Sequence, residues 1–379
     1  MKYMETHSTD PAYNLAYEQY VLEHYLTGDY LMLWQNENTI VVGRNQNAAE
    51  EIDAAYAAEH GIRVVRRMTG GGTVYHDLGN LNYSFITDAG APETHTIRRF
   101  TEPVCKALEK MGVHAETSGR NDILIDGKKV SGIAERIYKN RILHHGCILF
   151  RTDTSVLSAA LRPDPSKFLS KGVKSVSSRV GNIYDFLPEP MTVREFWDRL
   201  KAELLNENFP ETDQWNKEFS KNDLPKAASA EIWTNGKQSR LFYDPAEKPA
   251  PVEPSPAELE EIAALAESKY RSWDWTWGHS PAYTYSSVGR FPGGTVKLML
   301  NISHGIITDA AFSGDYMALT DCDEAVEALK GCRCTGEEIR EALQRLDMEK
   351  LFGGITAENI LQLTRDLLSE DDADRKNSE

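Results

Sequence analysis

The sequence predicts an α/β (α+β) protein built from two domains of unequal size. Short β-branched and apolar runs, typical of strands, alternate with longer stretches in which apolar residues recur at helical spacing. Five prolines between positions 244 and 256 interrupt this alternation, as expected of a stiff linker. We therefore predict a large domain over 1–245, a linker over 246–256, a second domain over 257–369 and a disordered charged tail over 370–379.

Composition and charge narrow the class of protein. The 379 residues are long enough for two domains, and a hydrophobic content of 41% is ordinary for a globular protein. The net charge of −16 argues against nucleic acid and anionic membranes as partners. No apolar run approaches the ~20 residues that cross a bilayer, and 1–10 lacks an apolar signal core, so we expect a cytoplasmic protein. Five cysteines fit free thiols better than a disulfide framework.

The individual elements follow from caps, periodicity and breakers. Asp10 followed by Pro11 indicates a helix start, and Gly28 ends that helix. Gly61 and Gly112 close two further helices in the same way. The large domain is predicted to hold helices at 10–28, 50–60, 96–111 and 192–206 and strands at 31–34, 39–42, 81–86, 122–125 and 142–150. The second domain is predicted to hold strands at 283–287, 295–302 and 306–312 and helices at 257–271, 324–330, 337–346 and 357–368.

The stretch from Val64 to Asn80 is the most informative part of the chain. It starts as a short strand, carries Arg66 and Arg67, and opens into three consecutive glycines at 70–72. Glycine lets backbone N–H groups approach a ligand, successive N–H groups bind anions, and arginine adds a planar fork. We predict a strand–turn–strand cradle for phosphate or carboxylate, with a glycine-rich hairpin without ligand as the alternative. The spacing fits neither the dinucleotide fingerprint nor the P-loop.

A second predicted hairpin carries two adjacent lysines. Asp126-Gly127 is a two-residue turn signal between two strands, the second of which begins with Lys128 and Lys129. Alternation along a strand places Lys129 with Ser131 on one face and Lys128 on the other. Only one of the two lysines can therefore face the cradle.

These motifs resemble the signature of the lipoate–protein ligase family. Residues 66–80 read Arg-Arg-x-Thr-Gly-Gly-Gly-x-Val-Tyr-His-Asp-x-Gly-Asn, which is similar to the glycine-rich motif of that family. Further elements follow in the order and spacing of the bacterial enzymes, so the resemblance covers nearly the whole chain. These elements are Asn121-Asp122, Gly127 to Ala134, His144-His145-Gly146, Lys174-Ser175-Val176, Ser178-Arg179-Val180 and Trp277-Gly278 with Ser280 to Tyr283.

The resemblance implies a fold and a reaction. The fold is a biotin/lipoate ligase-like catalytic domain with mixed sheets, followed by a small α+β accessory domain. The reaction has two steps: lipoate and ATP with Mg²⁺ give lipoyl-AMP and pyrophosphate, and an acceptor lysine then attacks the mixed anhydride to form a lipoyl-lysine amide and AMP. The implied acceptors are lipoyl domains of 2-oxoacid dehydrogenase E2 subunits and the glycine cleavage H protein.

The resemblance also implies site residues. Lys129 matches the essential lysine, whose ammonium offsets the repulsion between the lipoate carboxylate and the α-phosphate. Arg67 matches the arginine that contacts nucleotide and acyl group. Asn121 and Asp122 are expected near the phosphates, with Asp122 a candidate Mg²⁺ ligand and an Asx turn the alternative. The nucleotide turn is expected at Gly72, Thr73, Val74 and Tyr75, and the lipoate tunnel at Leu15, Glu18, Gly70, Val74, His76, Ala134 and His145, with Arg67 and Lys129.

Several alternatives stay open at this point. Related octanoyltransferases act without ATP through a cysteine acyl-enzyme, and Cys147 is the candidate, although a buried small residue is its default interpretation. A non-catalytic lipoyl-binding protein is a second alternative, and a biotin ligase is disfavoured because its glycine- and arginine-rich nucleotide loop is absent. Leu15, His76 and His145 could equally be core residues. The acceptors and the preference between lipoate and octanoate are undecided.

The connection 162–179 is locally basic in this acidic protein. We expect it to order over the acyl-adenylate and to help receive an acidic acceptor domain, with a solvated surface segment as the alternative. Its charged residues are Arg162, Asp164, Lys167, Lys171, Lys174 and Arg179.

Overall fold

The computed structural model describes residues 1–90, 97–118, 121–160, 180–206, 251–277, 284–303 and 305–364. The basic connection 162–179, most of the predicted linker and the charged tail lie outside the described residues. No helix within the described ranges has the length and apolarity needed to cross a membrane.

The large domain is built on two sheets. Its described strands are β1 (Lys2–Glu5), β2 (Tyr30–Trp34), β3 (Thr39–Val42), β4 (Arg63–Arg66), β5 (Val74–His76), β6 (Asn80–Asp88), β7 (Glu116–Ser118), β8 (Asp122–Ile125), β9 (Lys128–Tyr138) and β10 (Arg141–Leu149). Seven of these form a mixed sheet in the order β1-β2-β6-β10-β9-β8-β7, in which only β1 and β2 run parallel. The other three form a small sheet in the order β4-β3-β5.

The small sheet corrects the predicted strand–turn–strand cradle. β4 and β5, which flank the three glycines, do not pair with each other. Instead β3 lies between them, parallel to β4 and antiparallel to β5. The glycine stretch therefore crosses over a strand instead of closing a hairpin, because a strand earlier in the chain supplies the hydrogen bonds that both neighbours need.

Helices cover both faces of the seven-stranded sheet. The helices described in this part of the chain are α1 (Pro11–His24), α2 (Ala48–Glu51), α3 (Ala54–Glu59), α4 (Ile97–Lys110), α5 (Thr154–Ala160) and α6 (Val193–Asn206). Asp10 caps α1 as predicted, its carboxylate accepting from the N–H of Ala12. The helix predicted over 50–60 is split into α2 and α3, because Asp53 caps a new start.

Strand β2 shows how the two faces differ. Leu31 and Leu33 pack into a core with α4 and α6, whereas Met32 and Trp34 pack into a second core with α1. This alternation follows the two-residue period of a strand. A sheet buried on both faces reads as a continuous apolar run, which is why 30–34 carries no polar residue.

Residues 251–277 pack on the large domain. Helix α7 (Pro256–Leu265) continues as a π-helical turn over Ala266–Tyr270, and α8 (Trp273–Thr276) follows. Ile262 and Tyr270 share the core of α1, and the Val252 N–H donates to the Tyr3 carbonyl at 2.8 Å. By packing, this segment belongs with the large domain, although the second domain was predicted to begin at residue 257. The prolines correctly indicate a stiff stretch of chain. They do not indicate with which domain the following helix packs.

The second domain has its own sheet and its own core. Its sheet has the order β11-β12-β13, and the apolar faces of sheet and helices bury one cluster that includes Leu298, Phe312 and Phe352. The three predicted strands and three predicted helices are present, and the helix at 348–352 was not predicted. The elements are β11 (Tyr285–Phe291), β12 (Gly294–Ser303), β13 (Ile306–Gly314), α9 (Asp323–Leu329), α10 (Gly336–Gln344), α11 (Met348–Phe352) and α12 (Ala357–Gln362).

Candidate active site

A cavity lies between the two sheets of the large domain. One wall comes from β2, β6, β9 and β10 of the seven-stranded sheet, and the other comes from β3, β5 and the glycine stretch. The lining residues are Leu15, Trp34, Val41, Arg67, Gly71, Gly72, Thr73, Val74, His76, Asn82, Asn121, Lys129, Gly132, Ile133, Ala134, His145, Gly146 and Cys147.

The strand register sets the length of this cavity. Trp34, Asn82, Cys147 and Gly132 lie side by side on β2, β6, β10 and β9, and Asp122 on β8 continues the row. Adjacent strands are separated by about 4.8 Å. The row therefore joins an end of the cavity beside Trp34 to an end beside Lys129.

Lys129 faces the cavity because of a β-bulge. Leu124 pairs with Lys129 and Ile123 pairs with Ser131, so Val130 is the extra residue. The Lys129 ammonium lies 2.6 Å from an Asp122 carboxylate oxygen and against Gly132. Ser131 is buried and does not line the cavity, so the prediction that it shares the face of Lys129 is wrong. The bulge shifts the alternation by one residue.

Lys128 lies outside the cavity, so only one of the two adjacent lysines faces it, as predicted. Its ammonium lies 5.8 Å from the centre of the Phe186 ring, and its alkyl chain approaches Gly181. The two adjacent lysines therefore have separate surroundings, which makes Lys128 a matched control for substitutions of Lys129.

Arg67 is a buried cation without a contacting acid. Its guanidinium donates to Thr69 Oγ1 and to the carbonyls of Val41, Gly70 and Gly72, all of which are neutral. Burial lowers the pKa of Arg67 to about 10, which leaves the side chain charged at neutral pH. Among the described residues no carboxylate forms an ion pair with it, so its charge is available to an anion in the cavity.

The neighbouring Arg66 joins parts of the fold and does not face the cavity. Its guanidinium donates to the carbonyls of Gly43 and Gln46 on one side and of Trp275 and Thr276 on the other. It does not line the cavity, and it joins β4 to the loop after β3 and to α8. Of the two arginines in the motif, only Arg67 is placed to meet a ligand.

A chain of buried hydrogen bonds holds Arg67 in place. Glu18 accepts from Ser84 Oγ at 2.5 Å and from His145 Nδ1 at 2.9 Å, which leaves His145 Nε2 as an acceptor. Thr69 Oγ1 donates to that nitrogen at 2.7 Å and accepts from Arg67 Nε at 3.0 Å. For a neutral His145 ring, the direction of each bond follows from Glu18, whose carboxylate can only accept.

Two of the three motif glycines contact the second domain. A Cβ at position 70 would lie 2.5 Å from the Tyr316 carbonyl oxygen, and the Gly71 N–H donates to that oxygen at 3.2 Å. Gly71 also has φ +87° and lies against the Met317 sulfur. Gly72 has open space where a Cβ would be and lines the cavity. Glycine is therefore required at 70 and 71 for close domain approach.

An ion cluster fixes this contact between the domains. Asp321 accepts from Arg44 Nε at 2.9 Å and from Arg136 Nη2 at 2.8 Å. Burial alone raises the pKa of Asp321, but the two guanidiniums outweigh burial and hold that pKa below its ordinary value. Arg136 follows Ala134 on the cavity face of β9, so the cluster lies next to the candidate site.

Four of the predicted site residues do not line the cavity. Glu18 bonds to His145, Gly70 lies under the second domain, and Asp122 pairs with Lys129. Tyr75 points away, because its hydroxyl donates to Asn38 Oδ1 and its ring packs in a separate core with Ile40. The others do line it: Leu15, Arg67, Gly72, Thr73, Val74, His76, Asn121, Lys129, Ala134 and His145.

Sequence reasoning missed several lining residues. Trp34, Val41 and Asn82 belong to strands that were predicted, but nothing local distinguishes a cavity-facing residue from a core residue. Gly132 was noted only as part of a motif, yet it is where the Lys129 side chain rests. Pairing across four strands brings Trp34, Asn82 and Gly132 together, and Val41 faces them from the other sheet.

The residues at the Lys129 end could hold Mg²⁺ only together with a bound nucleotide, whose phosphates would supply further ligands. The described residues contain no group of three or more His, Cys, Asp or Glu side chains that could hold a metal. Asp122 supplies one carboxylate, with its side chain about one third exposed. Mg²⁺ usually takes one or two carboxylates and completes its shell with phosphates and water, which a single Asp122 satisfies.

Two family models match the chain. Residues 10–205 match the lipoyl protein ligase A/B catalytic domain, and residues 280–363 match the bacterial lipoate protein ligase C-terminus. The gap between the two matches contains 251–277, the segment that packs on the large domain.

Similar proteins span almost the whole chain. Lipoate-protein ligase LplJ of Bacillus subtilis is 38% identical over 93% of this chain and 96% of its own length. Lipoate–protein ligase 1 of Staphylococcus aureus is 36% identical over 96% and 99%. The fold matches P. falciparum LipL1 in complex with lipoate (TM-score 0.68, 21% identity, 97% and 98% coverage). It also matches a lipoate-protein ligase A bound with ATP (TM-score 0.50, 24%, 73% and 99%). The predicted fold class is confirmed, and this chain belongs to the lipoate–protein ligase family.

Proposed function

We propose that this ligase activates lipoate with ATP to lipoyl-AMP and transfers the lipoyl group to a lysine of an acceptor lipoyl domain. One observation carries the proposal: Arg67 and Lys129, two cations on opposite walls, line a cavity whose remaining walls are largely apolar. An acid with an aliphatic chain and a nucleotide phosphate are the ligands that such a cavity suits.

The two cations address the main barrier of the first step. The lipoate carboxylate and the α-phosphate are both anions and must come into contact before a mixed anhydride forms. Lys129 is a compact charge with three donors, and Arg67 carries a buried charge without an acid partner. Placed at the reacting atoms, both offset this repulsion and stabilise the charge that develops on phosphorus.

Asp122 keeps the Lys129 ammonium at the cavity. The pair is about one third exposed, so the ammonium can exchange the carboxylate for a phosphate oxygen without crossing a dry region. Asn121 lies beside it, its amide nitrogen donating to the Ile133 carbonyl at 3.1 Å. Asp122 and the Asn121 side-chain oxygen are the protein groups that we assign to Mg²⁺, which would neutralise phosphate charge.

The apolar walls suit the acyl chain. Leu15, Val41, Val74 and Ile133 line the cavity between its two ends. Each methylene transferred from water into such walls contributes about 0.8 kcal/mol, so an aliphatic chain supplies most of its own binding energy. The polar groups then set the orientation of the acid.

The acceptors proposed are lipoyl domains of 2-oxoacid dehydrogenase E2 subunits and the glycine cleavage H protein, as the family resemblance implied. A cytoplasmic location stays a prediction from composition. The basic connection 162–179 stays the predicted docking segment.

The test is lipoate-dependent ATP–pyrophosphate exchange by the purified full chain without acceptor. Exchange is expected to depend on the added acid and to need no acceptor, because the first step is complete before an acceptor binds. Adding an apo lipoyl domain should then give a lipoylated lysine, detected by mass. Lipoylation without pyrophosphate release would contradict the proposal.

A transferase that uses Cys147 is the second candidate function. The observation in its favour is that Cys147 lines the same cavity, in the row between Asn82 and Gly132. It predicts acyl exchange from a carrier without ATP, and a thioester on Cys147 that can be trapped and located by mass.

A further inference from the structure

His76 carries a ring nitrogen whose proton is fixed by its neighbours. Asn14 Nδ2 donates to the backbone carbonyls of Ser8 and Gln35 at 3.1 and 2.8 Å, which fixes the orientation of the Asn14 amide. The same nitrogen donates to Asn36 Oδ1 at 3.0 Å, so Asn36 Nδ2 must face His76 Nδ1, at 3.2 Å. His76 Nδ1 is therefore an acceptor, and the proton of the neutral ring is on Nε2.

That Nε2–H has no acceptor. His76 is only 4% exposed and lines the cavity, and no described residue accepts a hydrogen bond from Nε2. Burial lowers the pKa of His76 to about 3, so the ring is neutral and the donor is not an imidazolium. Buried polar groups are almost always paired, and because this unpaired donor lines the cavity, a bound ligand can supply its acceptor.

Asn82 repeats the pattern on the facing wall. Its Oδ1 accepts from Asn80 Nδ2 at 3.1 Å, and the other end of its amide is buried without a partner. Asn82 pairs with Trp34 across β6 and β2, and the Trp34 ring centre lies 6.5 Å from that of His76. Both unpartnered groups therefore surround the Trp34 end of the cavity.

This end is well separated from the Lys129 ammonium. Asn82 on β6 and Gly132 on β9, against which the Lys129 ammonium rests, are two strands apart in the row. At about 4.8 Å per strand the separation is about 10 Å. That separation is comparable to the length of an extended eight-carbon acid, so with the carboxylate at Lys129 the two unpartnered groups lie where the far end of the acid would be.

We propose that the Nε2–H of His76, assisted by the free amide end of Asn82, binds a dithiolane sulfur and makes the site selective for lipoate over octanoate. This inference rests on the proposed function. It makes His76 a specificity-determining residue whose donor is held in place by Asn36 and Asn14.

The selectivity arises because octanoate cannot accept a hydrogen bond from the Nε2–H of His76. Sulfur accepts a hydrogen bond weakly, whereas the terminal methyl group of octanoate accepts none and leaves the buried N–H unpaired. A site built around a buried polar group rejects an analogue that lacks the matching atom more strongly than an apolar pocket rejects a missing methylene. Selectivity therefore depends on the donor itself.

The experiment measures kcat/KM for lipoate and for octanoate in ATP–pyrophosphate exchange. His76→Phe keeps a ring and removes the donor, and we expect the lipoate-to-octanoate ratio to fall about tenfold. His76→Gln restores a donor and should keep the ratio within about threefold of the unmodified protein. Leu15→Ala is the matched control for the apolar wall, and it should weaken both acids to the same extent.

The outcomes separate this inference from the proposed function. If the unmodified protein shows exchange with neither acid, the proposed function fails. If both acids support exchange and His76→Phe leaves their ratio unchanged within twofold, only the assignment of His76 fails. Thermal melting checks that each variant is folded.

A spectroscopic readout does not depend on activity. ¹⁵N NMR of the full chain should show His76 protonated on Nε2 and not on Nδ1. The Nε2–H resonance should shift when lipoate is added and stay in place when octanoate is added. A proton on Nδ1, or equal shifts with the two acids, would overturn the inference even if His76→Phe did not fold.

Discussion

Each face of the seven-stranded sheet carries a buried histidine–glutamate pair, and the two pairs have different surroundings. His144 and His145 are adjacent on β10 and point to opposite faces, and each binds a buried glutamate. On the core face, His144 Nδ1 lies 2.7 Å from Glu135, and the ring stacks on Phe100 at 4.6 Å. The side chain is fully buried there and does not line the candidate-site cavity.

On the cavity face, His145 continues into the candidate site. Glu18 holds its Nδ1, and its Nε2 accepts from Thr69, which in turn holds Arg67. A buried histidine–carboxylate pair is therefore not in itself evidence for function. What distinguishes the two pairs is whether the hydrogen-bond chain ends in packed rings or in a charge that faces a ligand.

Lys129 and Lys128 provide the sharpest test of this difference between faces. Lys129→Ala removes the ammonium at the Lys129 end of the cavity and is expected to lower pyrophosphate exchange by about 10²–10³-fold. Lys128→Ala removes a charge over Phe186 and should change exchange less than about threefold. Equal losses in the two variants would show that the cavity face is not the catalytic one.

Acid pH is expected to act on both faces. Burial lowers the pKa of His76 on the cavity face to about 3, and burial lowers the pKa of His144 on the core face although Glu135 opposes it. A lowered folded pKa means that the stabilising contribution of each ring is complete above pH ~6.5, the unfolded pKa, and is lost as pH falls toward the folded value.

Proton linkage at His76 should lower the free energy of unfolding by about 1.4 kcal/mol for every pH unit below ~6.5, and His144 should add a loss of the same sign. Urea denaturation at several pH values between 7.5 and 4.5 measures this slope. His76→Gln and His144→Gln should each flatten it, and only His76→Gln concerns the cavity. A slope unchanged by both substitutions would mean that the two rings are already protonated in the folded protein.

Glu18 and Glu135 should separate activity from stability. Glu18→Gln places an amide N–H group in the buried hydrogen-bond chain at a position where only acceptors are needed. This disturbs His145 and Arg67, and we expect about a tenfold loss of kcat. Glu135→Gln should lower the free energy of unfolding by about 1–3 kcal/mol and leave kcat within about twofold. Exchange kinetics and urea denaturation on both variants test this, and a tenfold loss of kcat in Glu135→Gln would contradict the distinction.

The smallest effect is expected at Cys147. Although Cys147 lines the cavity, its sulfur lies 3.8 Å from the Gly132 carbonyl, and the proposed reaction needs no thiol. Cys147→Ser is expected to keep exchange within about threefold, similar to Cys105→Ser in α4 beneath the other face. Loss of all transfer together with an acyl thioester on Cys147 in the unmodified protein would favour the transferase.

The sequence by itself determined the features that depend on a few neighbouring residues. Asp10 caps α1, and Asp126-Gly127 forms the predicted turn with φ values of +50° and +75°. Alternation indicated that only one of Lys128 and Lys129 faces the cavity, and the family motif pointed to Lys129, but a bulge and not regular alternation sets the direction of Lys129. The family motif identified Arg67 as the arginine of interest, and the structure separates it from Arg66.

Only the tertiary structure decided which groups meet. The insertion of β3 between β4 and β5, the bulge at Val130 and the contact of Gly70 and Gly71 with the second domain all join residues that are distant in the chain. The role of Glu18 likewise follows from its contact with His145 on another element. Caps and turns are encoded by backbone preferences over a few residues, whereas strand order and buried hydrogen-bond chains depend on which distant surfaces pack together.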